Sequence, residues 1–384
     1  MDDEYRVGIN YWPARTAMRW WREFDRAEVA RDFAAISGAG CDCVRVFLLW
    51  EDFQPASDSV SEVALARLVE VADVAADREL RIVPTLFTGH MSGANWIPEW
   101  ALGGSGGGRF PVIARDRATG RVPRNWFTDD EIGGAQARLA HEAATALRGH
   151  AALWAWDLGN ENSNVCVPET RDQARAWLAR MTDAIRGADA SCAITIGLHL
   201  EDLEQDRRLG PAEAAEVSDF LCMHGYPLYA QWARGDEDAS LPAYLAEMTR
   251  WLGGKDVLFE EFGMPSETTE EEAAAESYVA RALDGLYEVG TTGAMVWSFA
   301  DYVPEIWDRP PLDHAAHERF FGLWRADGSP KPATRHLARY RGVVRRHPPL
   351  EADWADIPRE RFYDDPLANL RRMYQRYVRE AVAR

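Results

Sequence analysis

Nothing in this sequence reads as a membrane span, because no apolar run approaches the roughly 18 to 20 residues that cross a bilayer. The N-terminus is acidic, Met1-Asp2-Asp3-Glu4-Tyr5-Arg6. A secretory leader would carry a basic start, an apolar stretch and a small-residue cleavage site there. Cysteine is scarce: Cys41, Cys43, Cys166, Cys192 and Cys222 make an odd set of five with no Cys-x-x-Cys spacing. A disulfide framework and a zinc site are therefore not expected, and reduced thiols of a cytoplasmic protein are. Positive charge is in deficit too. Lys and Arg number 43 against 62 Asp and Glu, for a net charge of −19. That balance repels phosphate backbones and anionic lipid, so neither nucleic acid nor a membrane is expected as a partner.

What the chain has in plenty is apolar surface to bury. Of its 384 residues 47% are hydrophobic and 11% aromatic, which excludes a disordered chain. Sixteen are tryptophan, whose flat face suits the C–H patch of a sugar ring, although many of the sixteen must also build core. Short apolar runs alternate eight times with longer segments of helical period. The expected strands are Tyr5–Tyr11, Cys41–Leu48, Leu80–Phe87, Ala151–Leu158, Cys192–Ile196, Val217–Met223, Val257–Phe262 and Gly293–Phe299. The expected helices lie near Arg26–Ser37, Glu62–Asp77, Asp130–Arg148, Thr170–Arg186, Asp202–Glu213, Leu241–Leu252, Glu271–Glu288 and Ala333–Arg345. The strands are almost continuously apolar, as in a parallel sheet covered on both faces. Eight rounds of strand and helix close naturally into an α/β fold of the (β/α)8 TIM-barrel type. A doubly wound sheet would show a phosphate-binding glycine motif after an early strand; the run Gly103-Gly104-Ser105-Gly106-Gly107-Gly108 follows no strand and opens no helix. Residues 1–346 are expected to form the barrel, with a long loop (Thr88–Asp129) after strand 3 that carries Trp96, Trp100 and Trp126 and forms a binding wall. Residues 347–384 are expected as a C-terminal helical extension packed on the barrel exterior.

Chemistry in such a barrel gathers where strands end. The fourth strand runs into Asn160-Glu161-Asn162 and the seventh into Glu260-Glu261-Phe262-Gly263. Either glutamate alone reads as half of a buried ion pair with an arginine. Two at the same rim, from strands nearly opposite each other, are what acetal hydrolysis needs: one donates a proton to the leaving oxygen and one attacks the sugar carbon. Arg45 interrupts an apolar run and must meet a carboxylate. His90 follows the third strand, His224 and Tyr226 the sixth, and Trp297 lies in the eighth, placed to floor a sugar site. His199 is a weaker candidate. His314 and His317 have ligand-like spacing but read as a solvated face, not a metal site.

The set Arg45, His90, Asn160-Glu161, His224-x-Tyr226, Glu261-Phe262-Gly263 and Trp297 resembles glycoside hydrolase family 5, in the clan of retaining (β/α)8 barrels. The resemblance runs from about Gly8 to the last barrel helix. It implies Glu161 as acid/base, Asn160 on the 2-hydroxyl of the sugar, Glu261 as nucleophile held by Tyr226 and Arg45, and Trp297 stacked under the reacting sugar. Glu260 is then expected to point the other way, by strand alternation. Asn162 stands where the family usually has proline. The segments Gly8–Pro13, Phe47–Pro55 (with Trp50 as a further substrate contact) and Thr88–Gly93 look like actinobacterial members with mannosidase or mannanase activity.

The implied activity is that of a retaining β-glycosidase, with Glu161 holding the higher pKa of the pair and no metal or organic cofactor. The expected partner is a β-linked oligosaccharide: mannose β-linked to N-acetylglucosamine, or short manno-oligosaccharides cleaved from one end. An endo-β-mannanase or β-glucanase with an open groove is the alternative, and a silent sugar-binding barrel a more distant one.

Overall fold

The computed structural model describes residues 3–350 and 352–383. The eight apolar runs become the parallel strands β1 (Arg6–Tyr11), β2 (Cys43–Leu49), β3 (Arg81–Thr88), β4 (Ala155–Asn160), β5 (Ala193–His199), β6 (Leu221–His224), β7 (Val257–Phe262) and β8 (Gly293–Val296). They close into a barrel in that order, with β8 pairing back onto β1. The chain therefore has the expected TIM-barrel architecture. Helices α1 (Arg26–Gly38), α2 (Glu62–Ala76), α3 (Asp130–Ala146), α4 (Arg171–Ala188), α5 (Ser240–Gly253) and α6 (Thr269–Glu288) lie between strands. Several start where the sequence supplies a cap: Asp25, Ser61, Asp129, Thr170 and Thr268 each accept a backbone N–H of the first turn.

Two expected helices take another form. The segment Asp202–Glu213 is not one helix but two short ones, Leu200–Glu204 and Pro211–Ala215, because Pro211 can begin a helix but not continue one. The expected last barrel helix is a 3-10 segment, Pro332–Tyr340, whose Leu337 and Tyr340 are buried and whose Tyr340 ring meets Tyr5 and Tyr287. Near the C-terminus α7 (Pro366–Ala383) buries Leu370, Met373 and Tyr374. Tyr244 of α5 donates to the Leu370 carbonyl at 2.7 Å, and Tyr374 donates to Asp238.

Alternation along the strands sorts what lies inside the barrel. Cys43, Ala155, Cys222, Leu258 and Met295 form an apolar layer with Phe220. Two residues further along the same strands come Arg45, Asp157, His224 and Glu260, all fully buried. A polar layer thus sits directly on the apolar one, toward the strand C-termini. The alternation then breaks. Strand β7 carries one residue more than its neighbours between Phe259 and Phe262, and β4 one more than β5 between Asp157 and Asn160. These bulges fall where the candidate carboxylates are.

The long loop after β3 folds into two small sheets. One pairs His90–Met91, Ala94–Trp96, Val112–Ala114 and Arg117–Thr119; the other pairs Leu102–Ser105 with Arg121–Pro123. Its tryptophans turn inward. Trp96 and Trp126 are buried, and Trp100 and Trp126 pack edge-on against Trp50. All five cysteines are free, and among the described residues no helix is long and apolar enough to cross a membrane.

Candidate active site

Arg45 is the hub of the polar layer. Its guanidinium is wholly buried, which is tolerable only with full pairing. Nη2 donates to Asp157 at 2.7 Å and to Asn160 at 3.0 Å, Nε donates to Thr85 at 2.8 Å and lies 3.3 Å from Glu260, and Nη1 bonds Glu261. Thr85 in turn donates to Asp157 at 2.7 Å. Arg45 therefore reaches the pocket through Glu261, as a positioning group. Tyr226 donates its hydroxyl to the other oxygen of Glu261 at 2.8 Å.

The extra residue in β7 overturns one expectation directly. Glu260 does not point away from the barrel: it is fully buried inside, its Oε2 3.2 Å from His224 Nε2. It continues the inward face of Leu258, and the bulge turns Glu261 inward as well. Two consecutive glutamates share the interior, Glu260 beneath and Glu261 at the pocket floor.

Glu161 reaches the same floor by a strained route. Gly159, at φ +140°, turns the chain in a way that a Cβ would block, since it would strike Asn162. Glu161 itself sits in the left-handed region at φ +48°, a conformation costing about 1–3 kcal/mol for a non-glycine residue. Its N–H to Gly197 O (3.0 Å) and its carbonyl from Asn164 N–H (2.9 Å) hold it there. Asn162, in the place of the family's proline, begins a 3-10 turn and donates to the Leu158 carbonyl at 3.3 Å. The Glu161 carboxylate accepts from Asn164 at 2.9 Å, and Arg207 orients that amide at 3.2 Å.

His224 lies between carboxylates on both edges. Nδ1 is 3.1 Å from Glu161 and 3.6 Å from Glu261, while Nε2 is 3.2 Å from Glu260. Both nitrogens face carboxyl oxygens, an arrangement that favours the imidazolium form. Burial works against this charge, but Glu261, Glu161 and Glu260 together raise its pKa to about 10. Burial would likewise raise Glu161, but the adjacent His199 and His224 carry it below the usual carboxylate range. Burial pushes Glu261 up against the opposing pull of His224 and Arg45. The two glutamates are thus shifted in directions opposite to the order expected from sequence. Because the folded pKa of His224 exceeds the unfolded one, its stabilising contribution is complete below about pH 6.5 and is lost as pH rises through about 10. A ¹⁵N spectrum should therefore show His224 doubly protonated at pH 7.5, where a ring titrating near 6.5 would contradict this reading. Wild-type stability should also fall more steeply between pH 7 and 10 than that of His224→Gln.

A cavity of about 460 Å³ opens above these groups. Nearest the carboxylates it is lined by His90, Asn160, His224, Tyr226 and Trp297 as well as Glu161 and Glu261. Burial lowers the pKa of His90; its Nδ1 lies 2.7 Å from Asn95 Oδ1 and its Nε2 3.8 Å from Glu161. Asn160 gives one amide N–H to the His90 carbonyl at 2.9 Å, keeping the other for the cavity. The Trp297–Ser298 peptide is cis. Trp50 is not part of this site. It is 1% exposed and spends its indole N–H on Gln54 at 2.8 Å. Adjacency to a strand end suggested a contact, but the chain turns there into a short helix, Trp50–Phe53, that faces the loop's own core.

Several lining residues were not singled out in the sequence, although Met91 and Ser92 fall within the segment Thr88–Gly93. From the long loop it is Met91, Ser92, Arg109 and Phe110, not the tryptophans, that reach the cavity. Phe110 packs on His90 with ring centres 4.5 Å apart, and Arg109 pairs with Glu201 across the mouth. His314 and His317 are both exposed, and His317 also lines the cavity beside Glu318, where it meets the Tyr229 hydroxyl at 2.8 Å. Among the described residues Glu161, His224 and Glu261 bring ligand atoms within 4.8 Å of one another, a spacing that could also hold a small cation.

The model of the family described as Cellulase (glycosyl hydrolase family 5) matches residues 4–302. No curated protein matches the chain. Among solved structures, an exo-β-1,4-mannosidase from Opitutaceae bacterium strain TAV5 is 26% identical with a TM-score of 0.75, over 88% of this chain and 59% of that one. GH5_18 from Streptomyces cattleya in complex with GlcNAc is 25% identical with a TM-score of 0.75, over 91% and 82%. A variant of GH5_18 from that organism, in complex with Manβ1-4GlcNAc, is 24% identical with a TM-score of 0.76, over 90% and 82%, and supports the fold.

Proposed function

Since the chain belongs to glycosyl hydrolase family 5 and is thereby a glycoside hydrolase, we propose that it is a retaining, exo-acting β-mannosidase, with its catalytic barrel in residues 1–346 and a helical extension in 347–384. The observation that carries the mechanism is the approach of Glu161 and Glu261, whose nearest oxygens lie within 4.8 Å over one cavity floor. Retaining enzymes hold their carboxyl groups roughly 5–5.5 Å apart, whereas inverting ones leave roughly 6.5–9.5 Å for a water.

Glu261 is the nucleophile. Arg45 and Tyr226 each take one of its oxygens and aim the pair at the anomeric carbon. Glu161 is the acid/base. Glu161 accepts from His224, and a bound sugar sets its glycosidic oxygen against the free face of the carboxyl. The proton then passes from His224 Nδ1 through Glu161 to the departing oxygen while Glu261 forms the glycosyl ester. Water, deprotonated by Glu161, cleaves that ester, and Glu161 returns the proton to His224 Nδ1, which restores the starting state. Asn160, His90 and Trp297 hold the sugar in place.

The sugar assignment rests on the exo-β-1,4-mannosidase and the GlcNAc complex among the neighbours. A cavity of this volume suits a disaccharide better than a polymer. Among nitrophenyl glycosides the β-mannoside should be the preferred substrate. From β-1,4-manno-oligosaccharides, mannose should be the first and only small product. Mixed oligomers early in the time course would overturn exo-action, and cleavage of a β-glucoside or β-galactoside with the mannoside untouched would overturn the sugar.

A further inference from the structure

We propose that Glu318, with Ser92 beside it, is the specificity-determining pair that binds hydroxyls of the terminal, non-reducing sugar and closes the pocket behind it. This rests on the reading of Glu161 and Glu261 as proton donor and nucleophile, which fixes the direction of the substrate. The leaving group must lie on the side of Glu161, toward Asn164, Leu200, Glu201 and Gln231 from the loops after β4, β5 and β6. The sugar to be transferred then lies over Glu261 and Trp297, on the side where Glu318 stands.

Glu318 belongs to a 3-10 turn, Ala316–Phe320, in the segment after β8, and is only 7% exposed. One carboxyl oxygen accepts from the Tyr229 hydroxyl at 3.2 Å. The other oxygen, Oε2, is buried, as is the Ser92 hydroxyl. Ser92 comes from the loop after β3, and it and Trp297 reach the Glu318 carboxyl as hydrogen-bonding neighbours. All three line the cavity, so a ligand hydroxyl can join this small network. His317 adds little to it: its Nε2 lies 3.6 Å from the oxygen that Tyr229 bonds, and burial lowers its affinity for a proton. Neighbouring hydroxyls of a pyranose present donors at the spacing of two carboxyl oxygens, and the ring is uncharged, as a carboxyl close to Glu261 requires. Burial pushes Glu318 up to about 7, so near neutral pH it can donate as well as accept. Strands β1 and β2 lie between β3 and β8 in the barrel, so Ser92 and Glu318 meet across that side of the rim.

The test crosses enzyme variants with deoxy substrates. Wild type, Glu318→Gln and Glu318→Ala are assayed on nitrophenyl β-mannoside and its 3-, 4- and 6-deoxy analogues. In the wild type, removal of the contacted hydroxyl should lower kcat/KM about 10- to 100-fold. Glu318→Ala should lose a similar factor on the parent sugar and then be nearly indifferent to that one deletion, with Glu318→Gln in between. Glu318→Gln keeps an oxygen for the Tyr229 hydroxyl, so its thermal unfolding should stay near that of the wild type, which separates this role from a structural one. Deoxy penalties that are the same in Glu318→Ala as in the wild type at all three positions would overturn the proposal. If the wild type cleaves a different β-glycoside, the sugar assignment fails and the same cross on that sugar still decides the role of Glu318. If it cleaves none, both readings fall.

Discussion

Glu261→Ala should lower turnover of nitrophenyl β-mannoside by on the order of 10⁴-fold or more, since the bond-forming group is gone and the remaining contacts only bind. The variant keeps Arg45, Tyr226 and His224 around a small vacancy, a place for an external anion. Azide should then restore part of the activity by attacking from the vacant side, with a product of inverted configuration. Glu161→Ala should behave differently. An aryl glycoside with a good leaving group needs little protonation, so its first step survives while hydrolysis of the glycosyl-enzyme slows about 10²- to 10⁴-fold. Azide then takes the place of the activated water, and the product retains its configuration. Polarimetry or NMR of the two glycosyl azides distinguishes the roles: the opposite pattern would exchange the two glutamates, and wild-type activity in either variant would remove the hydrolytic mechanism.

Loss of Arg45 should be the most damaging change to stability. Two cations, Arg45 and His224, face four carboxyls: Asp157, Glu161, Glu260 and Glu261. Even with the arginine present, burial and the neighbouring Glu260 raise Asp157 to about 6. Arg45→Met would leave these charges buried without their main partner, a loss of about 3–5 kcal/mol from a total that is usually about 5–15 kcal/mol. The direction with pH follows. The variant's carboxyls bind protons more readily than those of the unfolded chain, so its deficit should be large at pH 7.5 and shrink as pH falls below about 6. Denaturant unfolding at pH 7.5 and 5 measures this, and a deficit that is constant or grows in acid would contradict it.

The barrel was legible in the sequence because its signals are local. β7 was read to the residue, Val257–Phe262, since an apolar run ends on an acid and then glycine. The helices with a capping residue and a long apolar face were read nearly as well. What escaped depends on three dimensions. Counting alternate residues along β7 assigned Glu260 to the outside, and a one-residue bulge that no motif announces put it inside. Trp50 was credited to the site by its distance along the chain from a strand end, while the turn after Leu49 carries it into the aromatic core of the loop. Glu318 lies in an irregular segment where neither periodicity nor motif marks it, and Ser92 was covered only by the likeness of Thr88–Gly93 to the family. Their nearness shows only once the fold puts both on the cavity wall. Asp157 did have a signal, an acid inside an apolar strand two residues past Ala155, and the same logic that singled out Arg45 would have paired them.

The contact between Arg45 and Glu261 joins residues 216 apart in the chain. No fragment that ends before the seventh strand can hold a poised nucleophile, however native its local structure. Competence to hydrolyse therefore requires the second and seventh strands to be in register together, a long-range pairing that is slow to form. A refolding population would recover the emission of its sequestered indoles in the first half before it released any sugar, and the lag between the two signals would time the closure itself.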